Sequence, residues 1–91
     1  MYVLVSYDIG DDRRRLEIMN KLKAMGYVRV QRSLYMARGG SALAKDTARA
    51  LMRVIGREDS VVILIIDGQT LNNAIKLGTA NLAIPSGPTV I

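Results

Sequence analysis

The residues best suited to chemistry lie in the first half of the chain, and Asp8 is the foremost of them. It follows directly on an apolar segment, where a carboxylate is costly unless it is paired, hydrogen-bonded or bound to a metal. A capping or turn aspartate is the alternative interpretation. Because Mg²⁺ needs oxygen ligands beyond one carboxylate, a metal site here would use Asp8 from both subunits of a symmetric dimer.

A run of three arginines, Arg13, Arg14 and Arg15, comes shortly after Asp8. It lies at the predicted start of a helix, where positive charge opposes the helix dipole. This placement indicates phosphate binding, and a solvated face of Asp–Arg pairs is the alternative. Further cations lie on or beside predicted strands and extend the basic surface: Arg29, Arg32 and Arg38.

Four other polar positions accompany these residues. Asp11 and Asp12 are typical of helix N-terminal groups, with metal ligation as the alternative. Ser33 and Tyr35 fall on the second strand region, and their polar ends would reach a site near Asp8 if that strand neighbours the first. Half-buried strand positions without a role in a site are the alternative for this second pair.

The absence of two residue types restricts the chemistry further. The chain has no Cys and no His. Disulfides, zinc fingers, cysteine nucleophiles and Ser–His–Asp triads are therefore excluded. Any metal would be an oxygen-loving ion such as Mg²⁺, Mn²⁺ or Ca²⁺.

The charge of the chain favours a polyanionic partner. The net charge is +5 at pH 7 and the pI is about 10.0. Residues 1–45 hold nine Lys or Arg and four acids, whereas residues 46–91 hold four of each. Nucleic acid is the simplest partner for such a surface. With four Tyr and no Trp or Phe, an RNA-binding sheet that stacks bases on exposed aromatic rings is disfavoured.

The size and composition predict one small globular domain. The chain has 91 residues, of which 49% are hydrophobic and 23% charged. Its longest apolar run, Val61–Ile66, is far shorter than the roughly 20 residues that span a bilayer. The N-terminus also lacks the features of an export signal. We therefore expect a cytoplasmic protein without a membrane partner.

Hydrophobic spacing and turn residues predict the elements that must position these side chains. The first helix is predicted from a stripe that begins at Leu16 and ends at Met25, with Gly26 as its stop. In the second helix, Ser41 is predicted to cap and Ile55 to end the buried stripe, and Thr70 is predicted to cap a short third helix through Ile75–Leu77. The predicted strands and helices are Tyr2–Tyr7, Arg13–Met25, Tyr27–Gln31, Leu34–Arg38, Ser41–Ile55, Val61–Ile66 and Thr70–Leu77, with a tight turn or bulge at Arg32-Ser33.

This order predicts an α+β fold, a ferredoxin-like β-α-β-β-α-β sandwich over residues 1–78. Val61–Ile66 is continuously apolar, so both of its faces are expected to be covered. With both main helices on one face of the sheet, the other face would be exposed and apolar, which predicts a dimer formed either face to face or by the tail adding to a partner's sheet edge. Residues 79–91 are predicted to be a tail, with an extra C-terminal strand that pairs with the partner subunit.

Three blocks and their spacing resemble a known family. They are a strand ending in Tyr7-Asp8-Ile9, then Asp11-Asp12 with an arginine-rich helix start, and then the segment GYVRVQRSLY over residues 26–35. Together they resemble the CRISPR-associated protein 2 family. The resemblance is strong over residues 2–37 and keeps its order to about residue 78, whereas residues 79–91 match only in role.

The resemblance implies a ferredoxin-like fold, a symmetric homodimer and a C-terminal strand that crosses to the other subunit. It also implies a nuclease that depends on Mg²⁺ or Mn²⁺ and acts on single-stranded RNA or double-stranded DNA. The family also bridges the larger CRISPR integrase, which performs the integration chemistry. The family's functional positions fall on the metal-binding and catalytic Asp8, on Arg15 and Arg29, and on Tyr7 and Ser33; Tyr35 stands where Phe is usual, and Glu17 where some relatives have Arg.

Two hypotheses of different classes remain open from the sequence. The first is a metal-dependent phosphodiesterase centred on Asp8, with nucleic acid held by Arg13, Arg14, Arg15, Arg29 and Arg32. The second is an architectural adaptor that grips duplex DNA as a dimer and docks the integrase without hydrolysis. A toxin-type ribonuclease of similar fold is a third class, which the block Arg-Val-Gln-x-Ser disfavours.

Overall fold

A four-stranded sheet with three helices forms the fold in the computed structural model, which describes residues 1–82. The elements follow each other in the predicted order. They are β1 (Tyr2–Asp8), α1 (Asp12–Ala24), β2 (Val28–Gln31), β3 (Leu34–Arg38), α2 (Ser41–Met52), β4 (Ser60–Ile66) and α3 (Gly68–Asn72). Most of the predicted tail, residues 83–91, lies outside the described residues.

The sheet has the strand order β2-β3-β1-β4, and every neighbouring pair is antiparallel. The central strand β1 pairs Val5 with Tyr35 of β3 on one side and with Ile63 of β4 on the other. Between β2 and β3 the register shifts between Arg29 and Gln31, next to the turn at residues 32–33. The prediction of a tight turn or bulge at this place is confirmed.

One face of the sheet packs against α1 and α2 to form the core. Side chains alternate along a strand, so every second residue of β1 faces the helices. Full burial of a Leu or Ile side chain contributes about 1.5–3 kcal/mol, so the contacts between helices and sheet hold the two layers together. The buried cluster comprises Val3, Val5, Tyr7, Ile9, Ile18, Leu22, Tyr27, Tyr35, Ala37 and Leu51.

Helix α1 is capped as its sequence predicted and buries most of the predicted stripe. Asp11 is the N-cap, and its carboxylate accepts a hydrogen bond from the Arg14 backbone N–H at 2.9 Å. Leu22 is buried and Met19 and Met25 pack against the core, so these members of the predicted stripe are confirmed. Ile18 is also buried, whereas Leu16 is 56% exposed and its predicted place in the stripe is wrong. Each step of three residues turns the stripe by about 60° around the helix, which carries Leu16 away from the core.

Helix α2 begins and ends earlier than predicted. Its N-cap is Gly40, which makes no side-chain hydrogen bond, and Ser41 is already the first helical residue. The predicted capping role of Ser41 is therefore wrong. Because the helix ends at Met52, Ile55 lies beyond it and is 37% exposed. Thr47 takes the buried position instead.

Helix α3 is capped by Asp67 and not by Thr70. The Asp67 carboxylate accepts a hydrogen bond from the Thr70 backbone N–H at 2.8 Å. The helix ends at Asn72, so the predicted continuation through Ile75 and Leu77 is wrong. These two side chains are 89% and 81% exposed, and no burial of an apolar face extends the helix to them.

Within residues 1–82 of one chain, strand β4 has one face that no other element covers, so the expected coverage of both faces stays a prediction. Val62 and Leu64 are 53% and 54% exposed. Leu64 lies in a cross-strand row with half-buried Leu4 and fully buried Met36, so apolar surface on this side opens towards β4. Burial of both faces of this apolar strand therefore requires a surface other than residues 1–82 of one chain.

Among residues 1–82, no helix is both long enough and apolar enough to cross a membrane.

Candidate active site and nucleic-acid interface

Asp8 is exposed at the end of β1, where its Cα partner on β4 is Ser60. It borders a surface concavity of about 480 Å³. Within residues 1–82, its carboxylate makes no salt bridge and no side-chain hydrogen bond. The concavity is lined by Asp8, Ile9, Arg15, Met19, Arg29, Arg32 and Ser33.

Three elements and one turn bring these side chains together. Asp8 comes from β1, Arg15 from the first turns of α1, and Arg29 from β2. Arg32 and Ser33 form the turn between β2 and β3. This turn is joined to the first strand by the Tyr7 backbone N–H, which donates to the Ser33 carbonyl at 3.0 Å. Four of the predicted site residues therefore meet Asp8 around one concavity.

Arg15 is held in place by the turn that follows Asp8. Its Nη1 donates to the Ile9 carbonyl at 2.8 Å, and its Nη2 is paired with Asp12. Asp12 thus serves as an ion-pair partner in the first turn of α1. Because the Ile9 carbonyl directly follows Asp8, Arg15 and Asp8 have a fixed relative placement. Ile9 and Asp12 occupy the edge of the Arg15 guanidinium formed by Nη1 and Nη2, and the Arg15 side chain still borders the concavity.

Tyr7 and Tyr35 lie beneath the site. Their rings are stacked with centroids 6.1 Å apart, and both residues are buried. The Tyr7 hydroxyl donates to the Arg32 carbonyl at 3.4 Å. Burial, followed by the neighbouring Tyr35, raises the pKa of Tyr7, while the charges of Arg29 and Arg15 act in the opposite direction. Tyr7 therefore supports the turn from inside, as a neutral side chain at pH 7.

The arginine run does not act as one cluster. Arg13 is exposed and lies on a different side of α1, beside Leu16 and Glu17. Arg14 turns to the loop between α2 and β4, where its Nε donates to Asp59 at 2.8 Å. Successive helical residues point about 100° apart, so three consecutive side chains cannot share one site. Only Arg15 of the three lines the concavity.

Asp59 is the buried acid that sequence reasoning missed. Its side chain is 2% exposed and accepts hydrogen bonds from Arg14 and from the Gly56 backbone N–H at 2.7 Å. The Arg14 guanidinium, and then the Gly56 amide, lower the pKa of Asp59 below its usual value. The only local signal was an acidic residue next to a strand that is otherwise apolar, and nothing nearby in sequence identified its partner.

The described residues hold one free carboxylate at this site, so a metal would need further ligands. Within residues 1–82, no group of three or more acidic, His or Cys side chains is placed to hold a metal ion. A single aspartate fits Mg²⁺ or Mn²⁺ only together with water, a substrate phosphate or a carboxylate from a second subunit. The three guanidinium groups beside it suit phosphate oxygens.

Sequence and structure comparisons both point to one group of proteins. Residues 1–74 match the family model described as CRISPR associated protein Cas2. A CRISPR-associated endoribonuclease Cas2 of Aeropyrum pernix is 43% identical over 79 residues, which is 86% of each chain. A CRISPR-associated endonuclease Cas1/endonuclease Cas2 fusion of Thermoproteus tenax is 35% identical over 78 residues, which cover 85% of this chain and 30% of the fusion.

A solved structure shows the same fold. The crystal structure of Streptococcus pyogenes Cas2 at pH 6.5 superposes with a TM-score of 0.69 and 28% sequence identity. The superposition covers 86% of this chain and 100% of that chain. The sheet and the helices that position the concavity are therefore an arrangement found in a solved relative.

Proposed function

Because the chain belongs to the CRISPR-associated protein Cas2 family, we propose that it works in CRISPR spacer acquisition as a nucleic-acid-binding homodimer that cleaves phosphodiester bonds. Its substrate would be single-stranded RNA or double-stranded DNA. The observation that carries the proposal is the concavity in which the free Asp8 carboxylate lies beside Arg15, Arg29 and Arg32.

The cations of the concavity bind and orient the substrate. Arginine forms paired hydrogen bonds with phosphate oxygens, and three guanidinium groups on one surface would grip successive phosphates of a backbone. Ser33, at the same rim, offers a hydroxyl donor. Arg13, on the other side of α1, extends the basic surface and would contribute to long-range attraction of nucleic acid.

Asp8 would hold the metal, Mg²⁺ or Mn²⁺, together with Asp8 of the second subunit. The chemistry that such a metal would supply is activation of a water molecule and neutralisation of charge on the scissile phosphate. With no His in the chain, a carboxylate is the residue of the concavity that can accept a proton or bind a hard cation. Arg15 and Arg29 would keep the phosphate beside it.

The homodimer is supported by the apolar surface of the sheet. Val62 and Leu64 expose more than half of their side chains next to half-buried Leu4. Such a patch on a small domain is typical of an interface. We propose that the ferredoxin-like domain over residues 1–78 pairs through this face, and that the tail, residues 79–91, adds a strand to the partner's sheet edge.

The test compares the unmodified chain with Asp8→Ala in binding and cleavage assays. The substrates are single-stranded RNA and duplex DNA, each with Mg²⁺, Mn²⁺ or EDTA. We expect the unmodified chain to cut only with metal, and Asp8→Ala to bind equally well without cutting. Asp46→Ala, which removes an exposed carboxylate of α2, is the matched control and should cut normally. Cleavage by Asp8→Ala at the unmodified rate would contradict the catalytic role.

A non-catalytic adaptor is the second candidate function. It is favoured by the concavity itself, in which three cations surround a single carboxylate, and by the relative in which Cas1 and Cas2 are fused. In this role the dimer would bind duplex DNA and dock the larger CRISPR integrase. If neither the unmodified chain nor Asp8→Ala cuts while both bind duplex DNA, the adaptor is the better description.

A further inference from the structure

We propose that Arg14 and Asp59 are positioning residues that fix the turn after Asp8, and that Arg14 does not contact phosphate. The proposal rests on the proposed function only in that Asp8 and its concavity form the working site. We refer to the contact of Arg14 with Asp59 and Gly56 as the clamp. It joins the start of α1 to the loop between α2 and β4, 45 residues away in sequence.

The clamp is a two-point contact around a buried carboxylate. Arg14 Nε donates to Asp59 Oδ2 at 2.8 Å, and Arg14 Nη2 reaches Asp59 Oδ1 at 3.4 Å. The Gly56 backbone N–H donates to the same Oδ2 at 2.7 Å. With its side chain only 2% exposed, Asp59 depends on these donors in place of water.

The loop is shaped to hold the Arg14 guanidinium. A Cβ atom placed on Gly56 would lie 2.9 Å from Arg14 Cζ and 3.0 Å from Arg14 Nε. A side chain at position 56 would therefore displace the arginine. This close approach, together with the hydrogen bonds, distinguishes the clamp from the exposed Asp46–Arg49 pair on α2.

The clamp reaches Asp8 through the backbone on both sides of it. Asp59 immediately precedes Ser60, which is the Cα partner of Asp8 in the β1–β4 pairing. The Arg14 backbone N–H donates to the Asp11 carboxylate. Arg14 is therefore bonded both to Asp59 and to Asp11, the last residue of the turn. The three-residue turn over positions 9–11 is thus held between the end of β1 and the clamp.

This geometry separates the roles of neighbouring arginines. Arg15 borders the concavity and Arg13 is exposed, whereas Arg14 already satisfies a buried acid. Moving Arg14 to a phosphate would leave Asp59 buried without its main donor. The structure therefore assigns Arg14 to an intramolecular contact with Asp59, and phosphate binding to the other cations.

The first experiment compares Arg14→Gln with Arg29→Gln in binding to duplex DNA at several NaCl concentrations. A lost phosphate contact lowers the slope of log K against log salt by roughly 0.9. We expect this decrease for Arg29→Gln and an unchanged slope for Arg14→Gln. An equal decrease for both variants would overturn the assignment of Arg14. An unchanged slope for both variants would contradict the proposed phosphate contact of Arg29 and agree with the assignment of Arg14, whereas a decrease for Arg14→Gln overturns that assignment whatever Arg29→Gln does.

The second experiment measures amide hydrogen exchange in Asp59→Asn, with Asp46→Asn as the matched control. Loss of the clamp should raise exchange at residues 9–11 about tenfold and leave β3 unchanged, because the opening is local. Loss of the clamp should also shift the NMR resonance of the Asp8 backbone amide. Substitution of a residue that only stabilises the fold from a distance would leave this resonance in place. Exchange that rises equally throughout the sheet, or an Asp8 resonance that does not move, would overturn the positioning role.

Two further measurements keep the test decisive. Arg14→Lys retains the charge with poorer geometry and should show an intermediate effect on exchange, even if Asp59→Asn does not fold. Where the unmodified chain cleaves RNA, Asp59→Asn should lower kcat with little change in KM. The exchange and resonance results decide the clamp even if no form of the chain cleaves.

Discussion

Two buried tyrosines differ in whether their hydroxyl groups have a partner. The Tyr27 hydroxyl lies 2.7 Å from Thr47 Oγ1, which in turn donates to the Leu43 carbonyl at 2.7 Å. The Tyr35 hydroxyl is buried and has no partner within hydrogen-bond distance among the described residues, although it interacts with the Tyr7 hydroxyl and, after burial, raises the pKa of that group. A buried polar group without a partner costs free energy, whereas a paired one contributes to stability.

We therefore predict opposite effects for two identical substitutions. Tyr27→Phe should lower the free energy of unfolding by about 1 kcal/mol, because a buried hydrogen bond is lost. Tyr35→Phe should leave it unchanged or raise it by up to about 1 kcal/mol, because no bond is lost and an unpaired hydroxyl is removed. Urea denaturation measures both. A larger loss of stability for Tyr35→Phe than for Tyr27→Phe would contradict the assigned hydrogen bonds.

Asp59 predicts how stability depends on pH. The Arg14 guanidinium and the Gly56 amide hold the pKa of Asp59 below its usual value of 3.8. The unfolded chain therefore takes up this proton at a higher pH than the folded chain does. The stabilisation by Asp59 is complete above the unfolded pKa and is lost as the pH falls through the folded pKa.

Urea denaturation at several pH values between about 2 and 6 tests this dependence. Asp59→Asn should remove part of the loss of stability on acidification, so that its curve is flatter than that of the unmodified chain. Asp46→Asn on the exposed surface of α2 should follow the unmodified chain closely. Equal slopes for Asp59→Asn and the unmodified chain would show that this carboxylate does not govern acid stability.

At the scale of elements, the end of α1 is determined by Gly26. Its φ of 92° lies in the left-handed region, and its N–H donates to the Lys23 carbonyl at 3.1 Å. The next N–H, from Tyr27, donates to the Leu22 carbonyl at 3.0 Å. This pair of bonds is the Schellman motif, which closes a helix and brings Tyr27 back to the core.

Gly26→Ala should destabilise the fold by about 1–2 kcal/mol, because a Cβ atom disfavours positive φ. The space around Gly26 is open, so the cost comes from the backbone alone. The matched control is Gly68→Ala at the start of α3, where the space is also open and φ is not positive. This control should be neutral or slightly stabilising in urea denaturation. Equal effects of the two substitutions would contradict the role of Gly26.

Element boundaries were predicted well where a local signal determines them. Leu34–Arg38 is a strand with the predicted first and last residues, and Asp11 and Gly26 close the two ends of α1 as expected. The predicted extension of the third helix through Leu77 is wrong, because Ile75 and Leu77 are exposed and pack against no other element among the described residues. Helix length beyond the caps depends on such tertiary burial.

At the scale of the molecule, the exposed apolar face of the sheet predicts self-association. Leu64→Arg should place a charge in the proposed homodimer interface and halve the mass measured by light scattering, with unchanged circular dichroism. Leu16→Arg is the matched control, because Leu16 is a leucine of α1 with nearly the same exposure, 56% against 54%. A dimer that persists with Leu64→Arg, or dissociates equally with Leu16→Arg, would contradict this interface.

The sequence by itself determined which chemistry is open to this protein and the order of its elements. The absence of Cys and His restricts a site to carboxylates, hydroxyls and cations. The position of Asp8 directly after an apolar strand, with basic residues around it, was enough to make it the foremost candidate for a site residue. These properties are local, because strand alternation, helix caps and charge are all read from neighbouring residues.

Only the tertiary structure decided which cations share the site. Arg15, Arg29 and Arg32 meet at the concavity because α1, β2 and the turn at residues 32–33 converge there. Arg14 is drawn away by Asp59, a partner 45 residues distant. Helical rotation separates adjacent side chains, and the pairing of a buried acid depends on how two remote segments pack. The rotation follows from local helix geometry, but which arginine then faces the concavity and which one pairs with a buried acid is not encoded within a window of a few residues.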